Sequence, residues 1–257
     1  MTHPYFQGAP VPRVLAHRGL VGEDSSVFDN SALALAAADA AGAVYVETDC
    51  RATADGDAVL FHDETLQRLL GDPRPVAEVT TKELAALFAA HGGLLTLREA
   101  LEAFPGLRFN VDVKARAAAA DVGRAVAADA HRVLLTSFDD RNRLAALDAV
   151  RATGAELLPA SSGGRAAIAR LRLASTAGAT RWSRRILRGL DAVQIPERFG
   201  ALRVFSPGLV RAVHDAGAEV HIWTINDPER MRSLIAAGAD GIVTDRADLA
   251  IRTLRPS

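Results

Sequence analysis

A chain of 257 residues, 49% of them hydrophobic and 24% charged, has the composition of an ordinary globular protein, and its length suits one large domain or two small ones. Its 30 basic and 31 acidic residues nearly cancel, so the overall charge gives no reason to expect a nucleic-acid partner. Because Cys50 is the only cysteine, an intrachain disulfide and a cysteine-based zinc site are excluded. The sequence has no signal-like start and no run near the roughly 18 apolar residues of a membrane span, which predicts a cytoplasmic protein.

The first strand-like run covers residues 11–16 and ends in His17, Arg18 and Gly19. A strand that ends this way would direct an imidazole and a guanidinium into the mouth of a sheet or barrel, and the glycine permits a sharp exit. The tripeptide alone is weak evidence, but it supplies two candidate site residues.

An alanine-rich helix is predicted over residues 31–43, with Gly42 placed to end it. Asn30 directly precedes this helix. It can serve as the N-cap or as a residue of the site, and the sequence leaves both open.

Two carboxylates lie on one face of the next strand, predicted at residues 44–51. The strand's period of two places Glu47 and Asp49 side by side, where they repel each other unless a positive group lies between them. Hard oxygen ligands without a soft neighbour favour a divalent cation such as Mg or Ca, although an isolated Glu-x-Asp is also common on a solvated sheet face. A second apolar run at residues 58–61 ends in His62, which brings an imidazole close to the pair.

The segment 64–107 is longer than a simple connection, so we interpret it as a small insertion after the second strand. The strand predicted at residues 108–114 then alternates and places Asn110, Asp112 and Lys114 on one face. Asp112 could complete an oxygen-rich cation site and Lys114 could bind an anion, while a surface ion pair is the alternative.

Strands and helices alternate through the rest of the chain. Helices are predicted near residues 117–130, 140–152, 164–189, 207–216 and 227–237, and strands at 133–137, 156–160, 191–195, 219–223 and 241–244. With the three earlier strands this gives eight, which predicts an α/β fold, a (β/α)8 TIM barrel, as a single domain over residues 1–257.

Residues 163–190 contain seven arginines, Trp182 and no acidic residue. Such a stretch can make peripheral contact with an anionic membrane, and a solvated helix face is the alternative. Trp223 ends a predicted strand and could form an apolar wall over the barrel mouth, or it could be an ordinary core residue. His3, His91, His131, His214 and His221 are interpreted as structural.

The polar residues at predicted strand ends are the parts needed to hydrolyse a phosphate ester. Three carboxylates suit one divalent cation, Arg18 and Lys114 suit an anion, and two histidines suit proton transfer near neutral pH. A phosphodiester fits best, because its leaving alkoxide needs an acid.

The motifs LAHRG at 15–19, FDNS at 28–31, VETDCRATADGDAVLFHDETLQR at 46–68, NVDVK at 110–114, HIWTIN at 221–226 and GADGIVTDRADL at 238–249 occur in the order typical of glycerophosphodiester phosphodiesterases. The chain resembles this family, which belongs to the TIM-barrel superfamily that includes phosphatidylinositol-specific phospholipase C. The resemblance implies metal-dependent release of sn-glycerol 3-phosphate and an alcohol from a small-molecule glycerophosphodiester.

The resemblance also implies roles for residues. His17 and His62 would be the catalytic acid and base, and Glu47, Asp49 and Asp112 the ligands of the cation. Arg18 and Lys114 would bind phosphate, with Asn30 supporting them. The chain departs from the family in three places: Phe28-Asp29-Asn30-Ser31 stands for Pro-Glu-Asn-Thr, Asp112 replaces what is more often a glutamate, and Leu69 and Leu70 follow Arg68 where the family has two threonines.

Two other functions stay open. One is a lysophospholipase D that acts at a membrane surface, and the other is a barrel that binds a phosphate ligand without catalysis. The sequence also leaves open the headgroup alcohol, the choice of Mg or Ca, direct hydrolysis or a cyclic phosphate intermediate, and the oligomeric state.

Overall fold

Eight parallel strands form the barrel in the computed structural model, which describes residues 2–22 and 26–255. These strands are β1 (Arg13–His17), β2 (Tyr45–Ala52), β4 (Arg108–Val113), β5 (Val133–Thr136), β6 (Ala160–Ser161), β7 (Ala192–Pro196), β10 (Glu219–Trp223) and β11 (Gly241–Thr244). Hydrogen bonding joins them in the order β6-β5-β4-β2-β1-β11-β10-β7, and a parallel bridge between Ser162 and Ala192 nearly closes the ring. The predicted TIM barrel is confirmed.

Short antiparallel strands add to the barrel: β3 (Ala58–Leu60) pairs with β2, and β8 (Arg198–Phe199) pairs with β9 (Leu202–Arg203). The helices are α1 (Ala32–Ala40), α2 (Gln67–Leu70), α3 (Thr81–Phe88), α4 (Leu97–Ala103), α5 (Ala119–Val126), α6 (Asp140–Ala152), α7 (Arg165–Thr176), α8 (Thr180–Ile186), α9 (Pro207–His214), α10 (Pro228–Ala236) and α11 (Ala247–Leu254). Short 3₁₀ turns lie at Pro4–Phe6, Val76–Glu78, Arg116–Ala118 and Ala130–Arg132.

The barrel strands are apolar because helices cover them outside and side chains fill them inside. Val46 and Val111 pack outward against the helices. The N-terminal segment closes the bottom of the barrel, where Tyr5 and Phe6 pack on Tyr45 and Leu15. This leaves the opposite end, where the strands end, open for a site.

The register of the parallel strands gathers the predicted site residues. His17 on β1 pairs with Glu47 on β2, and Asp49 on β2 pairs with Asp112 on β4. Three neighbouring strands therefore contribute the histidine and the three carboxylates at adjacent positions.

The predicted insertion after the second strand is present. Residues 64–107 contain the helices α2, α3 and α4, and Leu84 and Phe88 of this segment pack with Phe61 and Phe28 in one apolar cluster. This cluster supports the segment that carries His62.

Two local predictions were wrong. The single helix at 164–189 is two helices, α7 and α8, since Gly178 lies between them in the left-handed region with φ +66°. The strand at 156–160 is only Ala160–Ser161, because the preceding residues form a turn. The sequence left open whether Asn30 caps α1, and the N-cap is Ser31, whose side chain accepts a hydrogen bond from the Ala34 amide.

The structure also contains elements that the sequence did not predict, namely the β8–β9 hairpin, α2 and α11. No helix among residues 2–22 and 26–255 is both long and apolar enough to cross a membrane.

Candidate active site

A cavity of about 520 Å³ opens at the carboxyl ends of the barrel strands. It is lined by all but one of the predicted site residues, namely His17, Arg18, Glu47, Asp49, His62, Asp112, Lys114 and Trp223. Asn30 lies behind this lining, where its amide donates to Asp49 Oδ2 at 3.0 Å. The structure thus brings together residues that are up to 206 positions apart in the chain.

Lys114 balances two of the three buried carboxylates. Its Nζ is 2.9 Å from Asp49 Oδ1 and 2.6 Å from Asp112 Oδ2. Burial opposes the charge of Lys114, but the two carboxylates outweigh it and raise the lysine's pKa. Burial would raise the pKa of Asp49, but the positive charges of Lys114 and Arg18 outweigh burial and lower this pKa.

Glu47 has no comparable cation. Burial and the negative charge of Asp49 raise its pKa to about 8, and burial likewise raises the pKa of Asp112. Glu47 Oε2 and Asp112 Oδ1 are buried and accept no hydrogen bond from the residues that the structure describes. These two oxygens are therefore available to a ligand bound in the cavity.

The carboxylate oxygens of Glu47, Asp49 and Asp112 suit a hard divalent cation. Two of these oxygens accept no hydrogen bond from the described residues. Within residues 2–22 and 26–255, no three His, Cys, Asp or Glu side chains are gathered closely enough to form a ligand cluster. The ammonium of Lys114 lies between Asp49 and Asp112, in contact with both carboxylates. The residue types therefore fit a cation, which would compete with Lys114 for these carboxylates.

His17 is oriented by a carboxylate from the opposite end of the chain. Its Nδ1 is 2.6 Å from Asp245 Oδ1, and Asp245 also accepts a hydrogen bond from Asn226 Nδ2 at 2.7 Å. The hydrogen bond with His17 lowers the pKa of Asp245, so this carboxylate accepts and Nδ1 carries the proton. Nε2, 3.8 Å from Glu47 Oε2, is then the reactive nitrogen.

Burial alone would lower the pKa of His17. The hydrogen bond to Asp245 and the charge of Glu47 outweigh burial and raise this pKa. His17 is therefore suited to hold a proton near neutral pH.

His62 has the same arrangement. Its Nδ1 is 2.8 Å from Asp63 Oδ1, and Asp63 also pairs with Arg68. Burial would raise the pKa of Asp63, but its hydrogen bonds with His62 and Arg68 outweigh burial and lower this pKa. The Asp63 carboxylate therefore accepts a hydrogen bond from His62 Nδ1.

A chain of ion pairs joins the two histidine segments. Asp29 Oδ2 lies 3.0 Å from both Arg68 Nη2 and Arg18 Nη1. Arg18 Nε in turn lies 3.1 Å from Asp49 Oδ2. The chain departs from the family pattern at Asp29 and at the two leucines that follow Arg68, and Asp29 and Arg68 contact each other directly.

Arg18 and Asn30 both have left-handed backbones, with φ +57° and +61°. Such conformations are rare outside glycine and concentrate at functional sites. The backbone N–H of Asn30 donates a hydrogen bond to the Arg18 carbonyl at 2.9 Å, and the side-chain oxygen of Asn30 accepts one from Thr48 Oγ1 at 2.7 Å. The two residues thus fix each other beside Asp49.

The other half of the cavity is apolar. Trp223 packs edge-on against Phe138 with ring centroids 5.8 Å apart, and Ile168, Phe199 and Leu202 continue this wall. Trp223 lies in this apolar half of the cavity, and the sequence did not predict its neighbours from β8 and β9.

Sequence reasoning missed Asp245, Asp63 and Phe138 as members of the site. Two of them had a usable signal, because Asp63 directly follows His62 and Asp245 directly follows a predicted strand. For Phe138 only the barrel geometry shows that its ring lies 5.0 Å from Lys114 Nζ.

The sequence profile of the glycerophosphoryl diester phosphodiesterase family matches residues 17–249. A Mycobacterium tuberculosis protein named "Probable glycerophosphodiester phosphodiesterase 2" is 36% identical over 251 residues, covering 94% of this chain and 93% of the relative. A mouse protein named as a lysophospholipase D is 26% identical over 278 residues, covering 91% of this chain and 79% of the relative.

Among solved structures, the crystal structure of a glycerophosphodiester phosphodiesterase from Thermotoga maritima superposes with a TM-score of 0.67 at 26% identity. The match covers 93% of this chain and 96% of that one. The similarity therefore extends over the whole barrel.

Proposed function

Because this chain belongs to the glycerophosphoryl diester phosphodiesterase family and is a phosphodiesterase, we propose that its cavity hydrolyses glycerophosphodiesters such as glycerophosphocholine and glycerophosphoethanolamine. The products are sn-glycerol 3-phosphate and an alcohol. The observation that carries the proposal is the pair of imidazoles, each with its Nδ1 held by a carboxylate, in one cavity with Arg18 and Lys114.

His17 and His62 are the proposed acid and base. With Nδ1 protonated and held by Asp245 or Asp63, each ring has Nε2 for the reaction. One Nε2 removes the proton from the oxygen that attacks phosphorus, and the other gives a proton to the departing alkoxide as the P–O bond breaks. The proton lost and the proton gained balance in each turnover.

Arg18 and Lys114 are the proposed phosphate-binding residues. Their cationic groups are held by Asp29, Asp49 and Asp112, so they are positioned before the substrate arrives. Prepositioned charges stabilise the negative charge that develops on the phosphoryl oxygens. Asn30 acts indirectly, by holding Asp49 and the Arg18 backbone.

Glu47, Asp49 and Asp112 are the proposed ligands of one divalent cation, Mg or Ca. The two buried carboxylate oxygens that accept no hydrogen bond from the described residues, Glu47 Oε2 and Asp112 Oδ1, support this assignment. When bound, the cation would polarise the phosphoryl group and neutralise charge on it.

The first test is release of glycerol 3-phosphate from glycerophosphocholine and glycerophosphoethanolamine, after EDTA treatment and again with added Mg or Ca. Release that returns with a cation supports the reaction class and the cofactor together. No turnover of either substrate with any cation would overturn the glycerophosphodiester proposal. Phosphorus NMR of the same reaction distinguishes direct hydrolysis from a cyclic phosphate, which has its own resonance.

A second candidate is hydrolysis of lysophospholipids to lysophosphatidic acid and an alcohol. The apolar wall of the cavity, formed by Phe138, Trp223, Phe199 and Leu202, supports it because it could accept an acyl chain. The test compares lysophosphatidylcholine with glycerophosphocholine in wild type and in Trp223→Ala. A loss confined to the lysophospholipid supports this candidate, and equal losses on both substrates contradict it.

A non-catalytic phosphate-binding barrel, the remaining alternative, does not fit membership of a family of phosphodiesterases. A cytoplasmic location and a single domain over residues 1–257 stay predictions from the sequence.

A further inference from the structure

Two large apolar side chains project from the β8–β9 hairpin beside the cavity. Phe199 is 74% exposed and Leu202 is 54% exposed, and they face each other as a cross-strand pair. Both also line the cavity, so the hairpin forms part of its rim. Two such side chains on one short hairpin are costly in water unless something covers them.

Arginines lie next to this apolar tip, on the hairpin itself and on α7. Arg198 and Arg203 flank it as the other cross-strand pair, and both are exposed. Arg172 of α7 donates from Nε to the Arg203 carbonyl at 3.2 Å, which attaches the hairpin to that helix. Arg165 of α7 lies with its guanidinium 4.2 Å from the centroid of the Phe138 ring, on the same rim.

The arginines of this region lack close ion-pair partners among the described residues, and Glu197 offsets Arg198 and Arg203 only at longer range. Within the part of the chain that the structure describes, no ion pair involves the hairpin arginines or the seven arginines of α7, α8 and the turn after α8. The acidic residue next to the hairpin, Glu197, is already paired with Arg230 at 2.9 Å. Residues 163–190 contain no acidic residue at all.

We propose that the β8–β9 hairpin, together with the arginines of α7 and α8, docks this protein on the surface of an anionic lipid bilayer. Phe199 and Leu202 enter the headgroup region and the arginines contact lipid phosphates. Peripheral binding of this kind needs two signals, an apolar insertion and a basic patch, and both are present here. Docking would place the cavity mouth at the membrane, and the proposal does not depend on which diester is hydrolysed.

The test is co-sedimentation of the intact protein with vesicles of phosphatidylcholine alone or with 40% phosphatidylglycerol. We expect binding only to the anionic vesicles at low salt and its loss as salt is raised, because screening shortens the reach of the charges. No binding to the anionic vesicles at low salt would overturn the proposal.

Variants separate the two signals. Arg198→Gln/Arg203→Gln should weaken binding about 30-fold, since each arginine near an anionic surface contributes about a factor of five. Phe199→Ser/Leu202→Ser should weaken it at least tenfold through loss of apolar burial. Arg184→Gln/Arg185→Gln on α8 should weaken it in the same direction, and unchanged binding would remove α8 from the surface.

Matched controls carry the same changes elsewhere. Arg98→Gln/Arg232→Gln replaces two exposed arginines on α4 and α10, and Leu33→Ser/Leu144→Ser replaces two exposed leucines on α1 and α6. Both controls should bind vesicles like wild type, and an equal loss in a control would contradict a localised surface. Arg198→Gln/Arg203→Gln should also keep wild-type turnover of soluble glycerophosphocholine, which shows that the variant is folded.

A second copy of the chain could cover the hairpin instead. Sedimentation velocity across protein concentrations reports this directly. A dimer that disappears in Phe199→Ser/Leu202→Ser would overturn the membrane proposal, whereas a monomer at all concentrations supports it.

Discussion

Single residues decide the chemistry of the cavity, and the two histidines are the first to test. We expect His17→Ala and His62→Ala each to lower kcat by about 10²- to 10⁴-fold, because each removes one proton-transfer group. His214→Ala is the matched control, since this histidine also contacts a carboxylate, Asp240 at 2.8 Å, but lies outside the cavity. Near-normal turnover in either cavity variant would remove that residue from its proposed role.

The carboxylates behind the histidines are expected to act by positioning. Asp245→Asn keeps the shape of the side chain but can present its amide to His17 Nδ1, which favours the wrong tautomer. We expect kcat to fall at least tenfold with little change in KM, and Asp63→Asn to behave similarly at His62. An unchanged kcat with normal thermal stability would show that these carboxylates do not orient the rings.

At the scale of an element, the turn after β1 depends on Gly19. Its φ is +88°, and an added Cβ would lie 2.6 Å from the backbone carbon and oxygen of Ala34 in α1. Gly19→Ala should therefore lower the free energy of unfolding by about 3 kcal/mol and displace His17 and Arg18. Urea denaturation and kcat measure the two effects.

Gly56→Ala is the control for this prediction. Gly56 also has a left-handed backbone, φ +90°, but nothing lies within 4 Å of the added Cβ. Gly56→Ala should lower the free energy of unfolding by only about 1 kcal/mol, through backbone strain, and should keep full activity. Equal effects at both positions would contradict the proposed collision with α1.

For the whole molecule, an ion pair at the closed end of the barrel links stability to pH. Arg13 contacts Glu219 with two nitrogens, at 2.9 and 3.2 Å, and also donates to the Phe6 and Ala9 carbonyls of the N-terminal segment. Burial would raise the pKa of Glu219, but His221 and Arg13 outweigh it and lower the pKa to about 2.

The sign of the pH effect follows from that direction. Because the folded protein binds the Glu219 proton more weakly than the unfolded chain, the stabilisation is complete above about pH 4.5 and is lost as the pH falls towards 2. The loss is of the order of 3 kcal/mol. Urea denaturation of wild type and Glu219→Gln should differ at pH 6 and converge near pH 2, and a constant difference would contradict the linkage.

Cation binding should also be visible in global stability. Because a ligand that binds only the folded state stabilises it by about 2.7 kcal/mol at 100 times Kd, Mg or Ca should raise Tm and EDTA should reverse the rise. In Glu47→Gln/Asp112→Asn the rise should vanish, since two proposed ligands lose their charge. A rise that persists in this variant would place the cation elsewhere.

Local sequence periodicity was enough to predict the fold of this protein and much of its site. The alternation of residues 44–51 was enough to place Glu47 and Asp49 on one face, and the regular alternation of strands and helices was enough to predict the barrel. The motifs were enough to identify the family. These features are local in sequence or follow a fixed order, so reading the chain recovers them.

Tertiary structure alone decided which groups meet. His17 and Asp245 are 228 residues apart, and only the adjacency of β1 and β11 brings them together. The ammonium of Lys114 between Asp49 and Asp112, and the β8–β9 hairpin on the cavity rim, likewise depend on barrel closure and strand register. A sequence specifies these contacts only through packing of the whole chain, because no local period relates residues on non-adjacent segments.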